Sequence, residues 1–541
     1  MSAPTRRRTR PIRPAATEAL SQGGSMSGSF ARNSLLGVVA GLATALSNFG
    51  SSVILARILG VEGFGTVMFA LWIVVLGAAI ADLGSATSLS RYLPELQGRR
   101  EDALVEQLAS RLFRTFALAV ILICACLASF GIWRWHQAGA PLLHLDAVRP
   151  RENLLFWLAA ATALALQALS LFHYGYLRGL QRFGDVAKLT LICLAIQLAA
   201  VAAGSLAYGP LGALAGYCAG FLLPALKPFR HLRGSKPLPP ELARRVRRYA
   251  LFAWAGNLAT VLLYSRIEIF FLERSWGTEA VGLFAVGVTL ANIAAQGPML
   301  LTSGFLPHFS ASYGRGDRDS IQRLYASGTR VMSFLVLPAC CGLAAILPSV
   351  IPLVYGAQFD GAITASMILA LSSASGVIYV GNQLTLGCDR SDLGFASTLA
   401  GAVLLVAGCA VVVPSYGIMG AALVRVAVQL FLVGASLWLI RSRLGYRAPI
   451  GDMLRILIAA TICGASAAAV THWIPGPVSL LGAIPAGIVT YCVAVRLLNA
   501  MPADDIKRLR DLLQRLPNLV VTPFDRALAL LSRHSARGAA S

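Results

Sequence analysis

The sequence predicts an all-α polytopic membrane protein made of two similar halves, and three observations carry that prediction. Of 541 residues, 57% are hydrophobic and only 13% are charged, with a mean hydropathy of +0.69. Soluble domains carry about 25% charged residues, so this chain cannot cover itself with polar surface. The apolar residues fall into runs of bilayer length. A phrase near the N-terminus also returns, in register, in the second half of the chain.

The runs come first. About 20 mostly apolar residues cross a bilayer as a helix. Fourteen such runs follow one another, at 34–56, 64–90, 112–133, 153–177, 186–208, 210–229, 249–272, 280–307, 331–354, 362–386, 393–413, 416–440, 454–474 and 478–498. Some separators are only a few residues long, such as YGPLG (208–212), PSYG (414–417) and IPGP (474–477). Pro and Gly there stop one helix and start the next, which predicts tight helical hairpins.

Charge placement tests this count. The chain holds 46 Lys and Arg against 24 Asp and Glu, a net charge of +22. Let the N-terminus lie in the cytoplasm and each run cross once. Five arginines then fall outside (Arg57, Arg134, Arg149, Arg151 and Arg274), and Arg266 and Arg425 fall deep within runs. All other basic residues lie on cytoplasmic segments or at the cytoplasmic ends of runs, as the positive-inside rule demands. The basic excess therefore needs no nucleic acid. This places both termini in the cytoplasm of a multi-pass inner-membrane protein. Residues 1–32, rich in Arg, Pro, Gly and Ser, have no signal-peptide core and are expected to be a disordered basic tail. Nine of the ten cysteines lie in apolar runs, with neither a disulfide framework nor metal spacing.

The repeated phrase is LARILGVEGFG (55–65) and LERSWGTEAVG (272–282), 217 residues apart at every position. Both sit in an outer hairpin, after run 1 and after run 7. RYLPELQGRREDALVEQLASRLFR (91–114) and GFLPHFSASYGRGDRDSIQRLYASGTR (304–330) extend the likeness, each with Leu-Pro, a charged turn and an amphipathic helix. Six runs separate the copies, so both halves enter the membrane in the same sense and form a parallel repeat about the membrane normal. The expected organisation is a tail (1–32), an N-terminal six-helix bundle (33–230), a basic cytoplasmic linker (231–248) and a second six-helix bundle (249–441). Two extra helices (442–500) and an amphipathic cytoplasmic tail (501–541) complete it.

Residues 33–96 carry LARxLGxExFG, then ADLG, then RYLPE. Further on come YLRGLQRF (176–183), YGAQF (355–359) and the GCDR turn (387–390). In these motifs the chain resembles the polysaccharide-transport, Wzx-like flippases of the multidrug/oligosaccharidyl-lipid/polysaccharide exporter superfamily. The resemblance implies a flippase, not an enzyme, without a cofactor or metal. It would carry an undecaprenyl-diphosphate-linked oligosaccharide across the bilayer by alternating access, for cell-surface or exopolysaccharide synthesis, beside polymerase or co-polymerase partners.

Such a cavity needs fixed positive charge for the diphosphate, hydrogen-bonding groups for the sugars and a lateral opening for the lipid tail. Arginine suits the first task, because its guanidinium stays charged and binds phosphate bidentately. Arg266 and Arg425 are the intramembrane candidates, since a charge at mid-membrane costs about 2.5–3.5 kcal/mol and usually faces a cavity. The alternative is a structural ion pair, for example Arg266 with Glu268 or Asp82. The repeat-related Arg57 and Arg274 stand at the outer mouth, where snorkelling explains them equally well. Asn48, Asn257 and Gln296 are candidates for the sugar path, against interhelical hydrogen bonding. Asp82 and Glu268 are candidates for ion coupling, against a helix-end role for Asp82. Arg91, Arg178 and Arg182 form a candidate cytoplasmic gate. Two rival readings stay open: a cation-coupled multidrug antiporter of the same fold, which would need acidic cavity sites, and a polytopic polymerase or ligase, which would need a large outer loop.

Overall fold

A computed structural model of the chain describes residues 16–138, 153–232, 238–264, 266–302, 305–474, 476–502 and 505. All its regular elements are helical among these described residues. The first half comprises α1 (Ala16–Asp82), α2 (Ser85–Gly98), α3 (Asp102–Ala138), α4 (Leu154–Gly179) and α5 (Phe183–Leu226). The second comprises α6 (Pro240–Tyr264), α7 (Glu268–Thr302), α8 (Phe305–Gly314), α9 (Arg318–Val354), α10 (Ile363–Ser372), α11 (Tyr379–Gly387) and α12 (Ser391–Leu439). Two further helices follow, α13 (Ile450–Trp473) and α14 (Ser479–Leu497).

Among the described residues, ten helical stretches are long and apolar enough to cross a membrane. Four are broken at glycine: α1 at Gly60, α5 at Tyr208 and Gly209, α7 at Gly277 and α12 at Gly417. Each break falls in a separator that the sequence places between two runs. Fourteen crossings stays the sequence expectation; the structure gives ten apolar stretches with these four breaks. Helix α1 begins at Ala16, inside the expected disordered tail (1–32). The residues that extend it, ATEALSQ, include good helix formers, so lengthening the helix costs little. Of the expected C-terminal tail (501–541), only 501, 502 and 505 lie among the described residues.

The breaks display the repeat. Gly60 (φ 69°, ψ −172°) and Gly277 (φ 81°, ψ −174°) share a backbone region open essentially to glycine alone. Gly209 (φ 56°, ψ −138°) and Gly417 (φ 54°, ψ −134°) match in the same way. The halves also meet reciprocally. A Cβ on Gly65 would lie 1.9 Å from the Thr278 carbonyl oxygen, and one on Gly282 would lie 2.3 Å from that of Val61. Val61 and Thr278 are themselves repeat partners. Reciprocal contact between equivalent residues is what a twofold relation produces. The opening phrase is written twice because each copy packs against the other, and only glycine lets the two backbones approach so closely.

Packing follows membrane rules. Large apolar side chains such as Leu118, Ile121, Leu206, Val411 and Leu481 are exposed on the outside of the helices, where lipid replaces water. The main buried cluster joins both halves through Leu55, Phe64, Leu272, Phe284, Tyr355 and Phe359. Helices α13 and α14 lean on α9: Tyr491 Oη donates to the Phe334 carbonyl (2.8 Å), and the Ser349 and Ser479 hydroxyls meet at 3.1 Å. That keeps them away from the interface between the halves.

The two halves touch in two zones. At the glycine end, around Gly65 and Gly282, Phe64 meets Phe359 edge-on (6.0 Å) and the Ser52 and Tyr355 hydroxyls are 3.0 Å apart. At the opposite, basic end, α6 lies against the end of α1 and against α2. Trp254 Nε1 donates to the Ile80 carbonyl (3.2 Å), Asn257 Nδ2 to Thr87 Oγ1 (3.0 Å), and Arg245 pairs with Glu95 (3.3 Å). Gly84 packs directly on the Ala250 backbone.

Candidate functional site

A cavity of about 540 Å³ lies between these zones, walled mostly by the first half. Its polar lining follows helical periodicity. Thr44, Asn48 and Ser52 recur at i, i+4, i+8 on α1, and Gln167, Ser170, Tyr174 and Arg178 share one face of α4. Thr190, Gln197 and Tyr217 come from α5, and Trp72 from the second arm of α1. Ser170 Oγ donates to the Phe221 carbonyl (2.8 Å) and so fastens α4 to α5 behind the wall. The second half contributes Arg266, Ile269 and Thr289. Among the described lining residues there are two guanidiniums and no carboxylate.

Arg266 sits where the helix breaks between α6 and α7, with φ +64°, a left-handed conformation unusual for a side chain larger than glycine. Such strained positions cost on the order of 1–3 kcal/mol and cluster at functional sites. The turn closes with Ile269 N–H bonded to the Arg266 carbonyl (2.9 Å). The half-buried guanidinium donates to Thr289 Oγ1 (3.2 Å), and the Tyr217 and Tyr355 phenols are among its electrostatic neighbours. The break turns the start of α7, with its partial positive charge, toward the same region as Arg266.

The other intramembrane charges are paired. Glu268, fully buried, accepts from Arg425 Nε (2.7 Å) and Nη2 (3.0 Å) in a fork-to-fork pair. Arg425, expected as a substrate contact, is therefore off the cavity wall and engaged by the residue expected as an ion-coupling site. The structural pair foreseen for Arg266 forms instead at Arg425, since residues 266 and 268 face different ways on the chain. Asp82 accepts from Ser85 Oγ (2.8 Å) and Ala86 N–H (3.1 Å), holding the start of α2.

The remaining candidates divide. Asn48 and Arg178 line the cavity. Arg57 reaches across the glycine end, where its guanidinium donates to the Val354 carbonyl (2.9 Å) and to that of Leu353, at the C-terminus of α9. A cation there complements the helix dipole. Arg274 is exposed, and Gln296 lies in α7. Asn257 is held by Thr87 at the basic end. Arg91 stacks on the Tyr249 ring (4.8 Å to the centroid) and Arg182 pairs with Asp185 (2.6 Å). The sequence reading missed Thr44, Ser52, Trp72, Gln167, Tyr174, Gln197 and Tyr217. The signal available was a polar residue returning every third or fourth position inside an apolar run.

A second, mostly apolar cavity of about 500 Å³ lies in the second half, lined by Leu371, Ile378, Leu430, Val433, Leu437 and Leu457, with Gln429 among few polar groups.

This fold and cavity define a multi-pass membrane protein of two repeat-related helical halves around a basic central cavity. The sequence from 30 to 312 matches the polysaccharide biosynthesis protein family model, and the chain belongs to that family. A comparison with curated proteins returns no match. Among solved structures, the chain is similar to the lipid II flippase MurJ in an inward closed conformation, with TM-score 0.64 and 14% identity, covering 86% of this chain and 98% of that one. It is also similar to an inward-facing multidrug resistance MATE family transporter of the MOP superfamily, with TM-score 0.61, 14% identity, and 75% and 98% of the two chains covered. A mutant of the Vibrio cholerae MATE transporter VcmN gives TM-score 0.51 at 16% identity, over 78% and 98% of the chains. At these identities the likeness is one of fold.

Proposed function

We propose that this protein is a flippase that moves an undecaprenyl-diphosphate-linked oligosaccharide across the bacterial inner membrane by rocking its two halves. The observation that carries this reading is the charge of the cavity: Arg178 and Arg266 line it and, among the described residues, no Asp or Glu does. An anionic headgroup is attracted to such a wall, whereas a cation antiporter requires carboxylates facing its substrate. The amides and hydroxyls of Asn48, Gln167, Gln197 and Ser52 suit sugar hydroxyls, and Trp72 and Tyr174 offer flat faces to sugar rings. The apolar cavity of the second half suits a polyprenyl chain.

In this reading the basic end faces the cytoplasm, following the positive-inside rule, and both termini lie there. The two six-helix bundles at 33–230 and 249–441 are the moving bodies. Arg425 and Glu268 keep the second half rigid rather than contacting substrate. The protein acts as a carrier rather than an enzyme, with polymerase machinery downstream.

Leaflet-resolved transport in proteoliposomes tests it. A labelled undecaprenyl-diphosphate oligosaccharide is supplied, and its exposure to a sugar-binding probe on the opposite side is followed with wild type and Arg266→Ala. Protein-dependent exposure, strongly reduced in the variant, is the expected result. No exposure under any ion gradient, with gradient-driven efflux of an organic cation instead, would establish the antiporter.

A further inference from the structure

We infer that the start of α6 is a binding site for the headgroups of anionic phospholipids, and that their binding holds the basic end of the molecule closed. This holds whatever the cavity carries. The stretch ELARRVRR (241–248) has four arginines and one glutamate, and α6 sorts them by face. Arg245 and Tyr249, one turn apart, face the first half, where Arg245 pairs with Glu95 (3.3 Å) and Arg91 stacks on the Tyr249 ring. Leu242 and Val246 pack into the apolar cluster on the same side. Arg244 and Arg248 recur with Leu251 at i, i+4 and i+7 on the opposite face, and Arg247 flanks them. These three arginines are exposed and, among the described residues, form no ion pair. Like charges three and four residues apart on a helix repel, so the stripe is unfavourable unless something anionic lies against it.

The bilayer supplies it. Leu251 and Phe252 are exposed and line neither cavity, so α6 faces lipid from that point on. Along the unbroken helix, Arg248 lies about 4.5 Å before Leu251. Tyr249 and Trp254 fall at the same boundary, where interfacial aromatics gather. The three guanidiniums therefore stand at headgroup depth, where long basic side chains reach lipid phosphates. A guanidinium binds phosphate oxygens bidentately. A zwitterionic headgroup brings its own cation to the same place, so the lipid attracted is one with net negative charge. The link to the gate is short. Ala250, two residues after Arg248, has its backbone packed on Gly84, in the left-handed break (Leu83 φ 46°, Gly84 φ 73°) that joins α1 to α2. A lipid clamped on one face of α6 holds the other face against that break and against Glu95 and Thr87.

The test takes the full chain in mixed micelles of phosphatidylglycerol and phosphatidylcholine and counts the retained lipids by native mass spectrometry. Wild type is expected to retain phosphatidylglycerol in preference to phosphatidylcholine. Changing Arg244, Arg247 and Arg248 together to Gln should weaken that preference at least about tenfold. The same three changed to Lys should keep most of it, which controls for folding. Gln at Arg441, Arg443 and Arg447, exposed arginines elsewhere, should also keep it. The gate is read separately in vesicles, with Thr87→Cys and Asn257→Cys in a cysteine-free background. Replacing phosphatidylcholine by phosphatidylglycerol should speed their cross-linking several-fold, and the Gln triple variant should lose that response. Equal retention of the two lipids by wild type, or a preference that survives the Gln triple variant, would overturn the site. Cross-linking indifferent to phosphatidylglycerol would overturn its hold on the gate.

Discussion

Glu268 and Arg425 show what a buried charge does when the cavity does not use it. The carboxylate is fully buried, the guanidinium is nearly so, and both oxygens are satisfied. Removing one partner leaves the other uncompensated, which costs about 3–5 kcal/mol, whereas replacing both with apolar groups of similar volume is often neutral. Arg425→Ala should therefore lower thermal stability in detergent sharply. Arg425→Met with Glu268→Leu should recover most of the loss and retain transport. A double variant that folds but no longer transports would give the pair a working role instead. The sequence revealed that these residues sit in apolar runs. It did not reveal the pairing, because positions 268 and 425 are brought together only by α7 packing against α12. Arg266 and Arg178 differ in the same way. Both were visible as arginines in suggestive places, but Arg178 read as a rim residue because α4 ends there. Only the face it shares with Tyr174 and Gln167 puts it on the wall.

At the scale of elements, the glycines were the most legible feature. Separators such as PSYG and YGPLG announce a helix end from composition alone, and the breaks fall at Gly417 and Gly209 within them. The phrase at 55–65 and 272–282 announced a repeat. Its reason, the mutual approach of Gly65 and Gly282, required coordinates. Gly60→Ala should cost on the order of 1–3 kcal/mol, since a side chain is strained at that φ and ψ. Its measure is the unfolding midpoint, with Gly277→Ala matching it if the repeat is faithful. Gly65→Ala acts differently. Its Cβ would lie 1.9 Å from the Thr278 carbonyl oxygen, so the two helices must separate rather than merely strain. The expected outcome is opening of the glycine end. It would be read as faster labelling of Ser52→Cys by a membrane-impermeant thiol reagent from that side, in a background free of other cysteines. Unchanged labelling with intact folding would show that this contact does not close the cavity.

For the whole molecule, the two contact zones carry the transport argument. A rocking carrier alternates between them, so it must break the glycine-end zone and the basic-end zone in turn. Both zones are made of separable parts. Arg57 and Gln358 reach across one end, where Gln358 Nε2 donates to the Ala56 carbonyl (3.5 Å), and Arg91, Arg245 and Asn257 hold the other. The basic-end contacts are polar and separable, whereas the glycine end also buries apolar residues of both halves, Phe64 and Phe359 among them, which a rocking cycle has to part. Tethering either end should therefore arrest the cycle. In a cysteine-free background, Thr87→Cys with Asn257→Cys would be joined by a short bis-thiol reagent at the basic end, and Ala56→Cys with Gln358→Cys at the other. Each tether alone should abolish exposure of the labelled lipid, and a cleavable tether should restore it on reduction. The first should also leave the cavity reachable only from the glycine side, and the second only from the basic side. Transport that continues with one end tethered would mean that substrate passes without separating the halves there, and the two-body mechanism would have to give way to one in which helices move within a single half.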